Sequence, residues 1–238
     1  MLENKIVVVT GATGGLGKVV TKMLLERGAK VVALYRNEEK FSDLKQQVDT
    51  YATNLFGIKG DATNEAECRA LISKTVELYG RVDVLLNIVG GYTGGLTVSE
   101  TPESDLDNMV TLNIKSAFLC SKAAITYMIN QNYGKIVNIS AKASSESGRK
   151  GKSAAYAISK AGVRILTEAL AEEVTKYNIN INCVMPSTID TEENRRLYPK
   201  SDYSKWVPVD QIAETILFLS SDASKPINGA AIPVYGKA

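Results

Sequence analysis

Short runs of β-branched and aliphatic residues recur along the chain, at Ile6 to Thr10, Val31 to Leu34, Val82 to Ile88, Ile136 to Ile139 and Ile179 to Val184, each separated from the next by an amphipathic segment. Most of these runs are apolar without alternation, the pattern of strands covered on both faces. A weaker run at Leu55 to Lys59 and a last one at Ile232 to Tyr235 extend the series. The segments between them predict helices over 15–27, 38–52, 64–79, 103–131, 153–177 and 208–220. Gly28 and Gly80 stand as stop signals, and Pro102 and Pro208 as first-turn prolines. Strand and helix alternating to the end predict an α/β fold, a doubly wound parallel sheet flanked by helices with its ligand at the carboxyl ends of the strands. The least regular stretch, Thr188 to Val207, carries mixed charges, Tyr198, Tyr203 and Trp206. A lid over a substrate and an irregular surface connection are both open to it.

A chain of 238 residues suits one large α/β domain over 1–238, with no linker or repeat to divide it. A net charge of +2 without a dense basic run does not indicate a nucleic-acid surface, so the expected partner is a small molecule. The three cysteines, Cys68, Cys120 and Cys183, are odd in number and widely spaced, and read as reduced thiols rather than a disulfide framework or a zinc site. The N-terminus lacks a secretory pattern, and no apolar segment approaches the ~20 residues of a membrane span. The expectation is a soluble cytoplasmic protein with no membrane contact. Histidine is absent, which removes Ser-His-Asp and Cys-His hydrolysis and every histidine-bearing metal site. No metal is expected, and proton transfer falls to tyrosine, lysine or a carboxylate.

The first strand is followed at once by Gly11-Ala-Thr-Gly-Gly-Leu-Gly17 and then by a helical segment. Glycines at such a turn let backbone N–H groups approach a pyrophosphate, whose charge the helix N-terminus favours. Gly11, Thr13, Gly14, Gly15, Leu16 and Gly17 are therefore candidate dinucleotide ligands. The second strand ends at Leu34-Tyr35-Arg36-Asn37, with no acid before Glu38 to hold a ribose 2′-OH. Arg36 suits a 2′-phosphate, which places NADP(H) ahead of NAD(H). Tyr156 and Lys160 are spaced to share one face of a helix. A lysine charge beside a phenol favours phenolate and is expected to lower its pKa from ~10 toward working pH.

Thr10-Gly-x-x-x-Gly-x-Gly17, Asn87 in Leu-Leu-Asn-Ile-Val-Gly-Gly, Asn113 in Leu-Asn-Ile-Lys-Ser-Ala-Phe and Tyr156-x-x-x-Lys160 together resemble the classical short-chain dehydrogenase/reductase family, over nearly the whole chain. The resemblance implies a single Rossmann-type dinucleotide-binding catalytic domain, assembled as a homotetramer or homodimer. It implies that Tyr156 moves the proton at the substrate oxygen. Lys160 would tune Tyr156 and hold the nicotinamide ribose, and Asn113 would hold a water behind the lysine. Asp61 and Ala62 match the adenine contact, although Asp61 also stands where a helix cap belongs. Asn87, Val89 and Gly90 match the family's central motif, and Pro186, Thr188, Ile189 and Thr191 the segment that packs on the nicotinamide.

Two departures stand out. The serine that the resemblance places at the end of the fifth strand, to orient the substrate oxygen beside the tyrosine, falls on Ala141 or Ala143, leaving Ser140, Ser144 and Ser145 as the hydroxyls within reach, with Ser140 the catalytic candidate. The usual Asn-Asn-Ala-Gly is Asn87-Ile-Val-Gly90, one amide fewer to brace the central strands. The runs Ala141-Lys-Ala143, Gly90-Gly-Tyr-Thr-Gly-Gly95 and Met185 to Trp206 also resemble the quinonoid dihydropteridine reductases within the family. The expected activity is NADPH-dependent reduction of a carbonyl, of the 3-oxoacyl thioester type or another small ketone. A quinonoid dihydropteridine reductase-like enzyme is the alternative, and a catalytically quiet NADP-binding sensor or scaffold is the alternative from another class.

Overall fold

The computed structural model describes residues 2–237. Strands β1 (Ile6–Thr10), β2 (Lys30–Tyr35) and β3 (Leu55–Lys59) are joined by helices α1 (Gly15–Glu26) and α2 (Glu38–Gln47). Helix α3 (Glu65–Tyr79) then carries the chain back to β4 (Val84–Asn87), on the other side of β1. From there α4 (Glu103–Met109) and α5 (Ser116–Asn130) lead to β5 (Gly134–Ile139), and α6 (Ala154–Glu173) leads to β6 (Ile179–Pro186). A short excursion contains β7 (Ile189–Asp190), α7 (Glu192–Leu197) and β8 (Val207–Pro208), before α8 (Val209–Ser220) and β9 (Ala231–Val234) close the fold. The main sheet runs β3-β2-β1-β4-β5-β6-β9 with every pairing parallel. Strand order reverses between β1 and β4, the point at which parallel sheets of this kind leave a crevice at the carboxyl ends of their strands.

Side-chain alternation along each strand explains the two layers. Val7 and Val9 pack with Leu24 of α1 and Ile216 of α8, whereas Val8 packs with Leu71 of α3 and Met128 of α5. All seven are 0% exposed, so each contributes roughly 1.5–3 kcal/mol by leaving water. No helix of the described residues is long and apolar enough to cross a membrane.

Local chemistry sets the element ends. Gly28 and Gly80 take φ of +79° and +76° just past α1 and α3, a conformation that is costly for other residues. Asn37, Asn64 and Thr191 cap α2, α3 and α7 by accepting backbone N–H groups on their side-chain oxygens. Asn64, not Asp61, is therefore the cap of α3. Pro102 and Pro208 occupy the cap positions of α4 and α8, one residue before the first turn. The segment expected to be helical over 38–52 leaves the α-helix at Gln47 and continues as a 3₁₀ turn over Asp49–Asn54, and α6 stops at Glu173 rather than 177.

The helix expected over 103–131 is continuous but carries a π-helical segment at Val110–Lys115. Such a bulge turns a side chain out of helical register, here that of Asn113. Gly162 of α6 allows this segment to approach, since a Cβ there would collide with Ile114.

Candidate active site

The turn after β1 is built for backbone contact. Gly11 has φ +69°, and a Cβ on it would meet Val89 N at 2.9 Å, while one on Gly17 would collide with Gly11 O. Helix α1 starts without a side-chain cap and without an acid in its first turn, so its leading N–H groups and the positive end of its dipole face the crevice. Thr10 Oγ1 accepts from Ile88 N at 3.1 Å and Val89 N at 3.4 Å, tying the end of β1 to the end of β4. The methyl group of Thr191 lies 3.0 Å from where a Gly15 Cβ would stand, so Thr191 reaches back over the glycine turn. Further along the crevice, Arg36 Nη1 lies 3.7 Å from Asp61 Oδ2, with the arginine side chain 71% exposed. Asp61 Oδ1 accepts from the Thr63 amide and hydroxyl, both at 2.8 Å. The Thr63 amide foremost, and Arg36 after it, hold the Asp61 carboxyl below its usual range. Ala62 is buried behind it. This donor set fits a dinucleotide: bare amides for a pyrophosphate, a carboxylate and a mobile guanidinium for the nucleoside end.

Tyr156 and Lys160 lie one turn apart on α6, over the end of β5. Lys160 is buried and Nζ donates to Ile139 O at 2.9 Å. A Cβ on Gly90 would stand 3.0 Å from that Nζ and 2.7 Å from Asn113 Oδ1, so glycine lets the end of β4 meet both polar groups. Asn113 accepts from Gly91 N at 3.0 Å and donates to Ser159 Oγ at 2.9 Å. Ser159 in turn donates to Tyr156 O at 2.8 Å. The side chains expected to act together thus converge, but their acidities run against expectation. Burial pushes Lys160 down to about 8 and Tyr156 up to about 12, and the lysine, 6.0 Å from the Tyr156 ring centre, is not among the influences on the phenol. Desolvation leads both shifts.

The serines at the end of β5 turn inward. Ser140 is 1% exposed and donates to Lys160 O at 2.7 Å. Ser144 donates to Ala141 O and Ser145 to Lys142 O, both at 2.7 Å. The structure thus does not bring Ser140 to the crevice with Tyr156; its hydroxyl pins β5 to α6. Ala141, the next residue, is buried and has no hydroxyl to offer. The missing central amide is made good from a neighbouring strand: Asn87 Nδ2 donates to Asn138 Oδ1 at 2.8 Å and Ser121 Oγ at 3.0 Å, and Asn138 reaches Thr167 Oγ1 at 2.9 Å.

Beyond Pro186 the irregular stretch forms a flap with a closed neck. Ile189 pairs with Val207 in a two-stranded parallel sheet, and Val207 N donates to Thr188 O at 2.9 Å. Within the flap Arg195 grips Asp190 through two bonds and stacks over Tyr203, whose ring leans on Trp206 at 4.7 Å.

Residues 5–202 match the family described as short chain dehydrogenase. This chain belongs to the short-chain dehydrogenase/reductase family. It is therefore an oxidoreductase of that type. It is 32% identical to 3-oxoacyl-[acyl-carrier-protein] reductase FabG of Thermotoga maritima, over 99% of this chain and 98% of that protein. It is also 32% identical to 7alpha-hydroxysteroid dehydrogenase of Bacteroides fragilis, over 98% and 94% respectively. Among solved structures, ElxO with NADP bound superposes with a TM-score of 0.91 at 28% identity, covering 98% of both chains.

Within this short-chain dehydrogenase/reductase frame, sequence reasoning missed Ser159, Asn138 and Tyr92. Ser159 carried the weak signal of a hydroxyl next to Lys160, and Asn138 that of a lone amide inside an apolar strand. Tyr92 became visible only when the loop after β4 laid its ring on Tyr156.

Proposed function

We propose that this protein is an NADPH-dependent reductase of a carbonyl group, with the whole chain acting as one catalytic domain. The observation that carries the reading is the convergence of Tyr156, Lys160 and Asn113 at the carboxyl ends of β4 and β5, beside a bare helix N-terminus. NADPH, when bound, supplies the hydride. Gly11, Thr13, Gly14, Gly15, Leu16 and Gly17 would hold its pyrophosphate, and Arg36 its 2′-phosphate. The exposed Arg36–Asp61 contact is worth at most about 1 kcal/mol, so the guanidinium is free to move to a phosphate. Asp61 and Ala62 would flank the adenine, Asn87, Val89 and Gly90 the centre of the crevice, and Pro186, Thr188, Ile189 and Thr191 the nicotinamide side.

Burial that raises Tyr156 keeps its proton at neutral pH, as a donor requires. Lys160, charged below about 8, would hold the nicotinamide ribose and stabilise the phenolate left after donation. Asn113 would hold the Gly90-Gly91 turn and a water behind the lysine. Tyr156→Phe should abolish turnover and leave NADPH binding nearly intact, read by stopped assay and fluorescence titration; unchanged turnover would reject the assignment. A lower KM for NADH than for NADPH would reject the cofactor preference.

The likeness to the Thermotoga maritima reductase supports a 3-oxoacyl thioester-type substrate. A quinonoid dihydropteridine reductase-like activity is the second reading, favoured by the inward turn of Ser140 and by an alanine at position 141. Parallel assays with an acetoacetyl thioester and with quinonoid dihydropterin separate the two. We also propose a cytoplasmic homotetramer or homodimer. Leu106, Phe118, Ile158 and Ile165, exposed on α4, α5 and α6, supply apolar surface for such a contact. Light scattering of the purified protein tests it, and a monomer at micromolar concentration would overturn it.

A further inference from the structure

A carbonyl reduced by this site needs its oxygen held while Tyr156 delivers the proton, and the end of β5 provides no side chain for that task. Ser140, Ser144 and Ser145 each spend their hydroxyl on a main-chain carbonyl, and Ala141 has none. The opposite wall differs. Tyr92, on the loop that leaves β4, meets the Tyr156 ring edge to face, with centres 4.9 Å apart and planes at 73°. Half of Tyr92 remains exposed, so the ring pair forms one side of an open mouth rather than part of the core.

The place of the Tyr92 hydroxyl is prepared by the local sequence. A Cβ on Gly94 would collide with Tyr92 Oη, so glycine at that position is what admits the phenol. Gly95 N donates to Lys152 O at 2.6 Å, which anchors the same loop to the residues ahead of α6. Tyr198, at the end of α7, hydrogen-bonds the phenol hydroxyl to hydroxyl and, after burial, raises its pKa, so Tyr92 is engaged by the flap and not by a main-chain carbonyl. Tyr92 therefore touches the proposed acid on one side and the flap on the other, and it keeps its proton.

We propose that Tyr92 supplies the hydroxyl that orients the substrate oxygen beside Tyr156, in the role that the resemblance gives to a serine at the end of β5. The inference rests on the reductase reading above. A hydrogen bond from a fixed phenol to an oxygen that gains charge strengthens as the reaction proceeds, so its loss should appear in kcat more than in KM.

The test uses the full chain with NADPH and two probes, an acetoacetyl thioester and quinonoid dihydropterin. Tyr92→Phe keeps the ring contact and removes the hydroxyl; kcat should fall at least about ten-fold, with KM and the NADPH dissociation constant within about three-fold. Adding Ala141→Ser to Tyr92→Phe should recover a large part of that loss, because the hydroxyl is then returned from the other wall. Unchanged kcat in Tyr92→Phe overturns the proposal; if Tyr156→Phe is inactive in the same assay, the reductase reading survives. A loss in Tyr92→Phe that comes with weakened NADPH binding and no recovery by Ala141→Ser also overturns it, assigning Tyr92 to packing. Absence of turnover of both probes by the unaltered protein removes the reading and the proposal together.

Discussion

Burial sets the two central side chains apart, leaving Tyr156 protonated up to about 12 and Lys160 charged only below about 8. Reduction needs both the proton and the ammonium, so kcat for carbonyl reduction should decline as pH rises through about 8, measured as a pH–rate profile with saturating NADPH. Stability runs the opposite way. Between about 8 and the ordinary lysine value near ~10.4, the unfolded chain holds a proton that the folded one has released, so folding gains from rising pH in that window. Urea midpoints should therefore show Lys160→Met losing its advantage over the unaltered protein as pH climbs from 8 toward 10. Asn138 is the other residue with a definite cost. Asn138→Ala takes from the buried Asn87 amide its 2.8 Å partner, leaving Ser121 Oγ at 3.0 Å, and should lower stability by about 1–3 kcal/mol in urea unfolding. Neither effect was legible residue by residue: the Tyr156 and Lys160 spacing was, but the sign of their shifts depends on how deeply α6 sinks against β5.

At the scale of elements, β1, α1 and the turn between them were the most legible part of the chain, because a buried strand and a glycine-rich helix start each have a strong local pattern. The glycines of that turn are not equivalent. A Cβ at Gly17 runs into the backbone of Gly11, whereas one at Gly15 meets only the methyl and Cβ of Thr191, whose side chain can yield. Gly17→Ala should therefore abolish NADPH binding in a fluorescence titration, and Gly15→Ala should weaken it by no more than about ten-fold. The flap was the least legible element. Its two strands are only two residues long each, below any periodic signal, and their pairing joins residues separated by the whole excursion. The π segment at Val110–Lys115 escaped notice for a related reason: its sequence is ordinary helix, and its bulge answers to Gly91, Ser159 and Gly162 from other elements.

For the molecule as a whole, one sheet passes through every apolar run, and both helical layers pack on it. We expect a single cooperative transition in calorimetry; two resolved transitions would show that part of the chain folds separately. Leu24→Ala, at a fully buried position between α1 and α8, should cost about 3 kcal/mol and lower the midpoint without changing the order of cofactor preference. By itself the order of residues determined the parallel α/β sheet, the glycine turn after β1 and the placing of Tyr156 and Lys160 one turn apart, because each is written in local periodicity or in spacing along one helix. Tertiary structure alone decided that Ser140 faces inward, that Asn138 replaces the missing amide, and that Tyr92 rather than a β5 serine stands against Tyr156. Those outcomes depend on the depth and angle at which distant segments meet, and hydrogen bonds and desolvation act only once those segments are in contact.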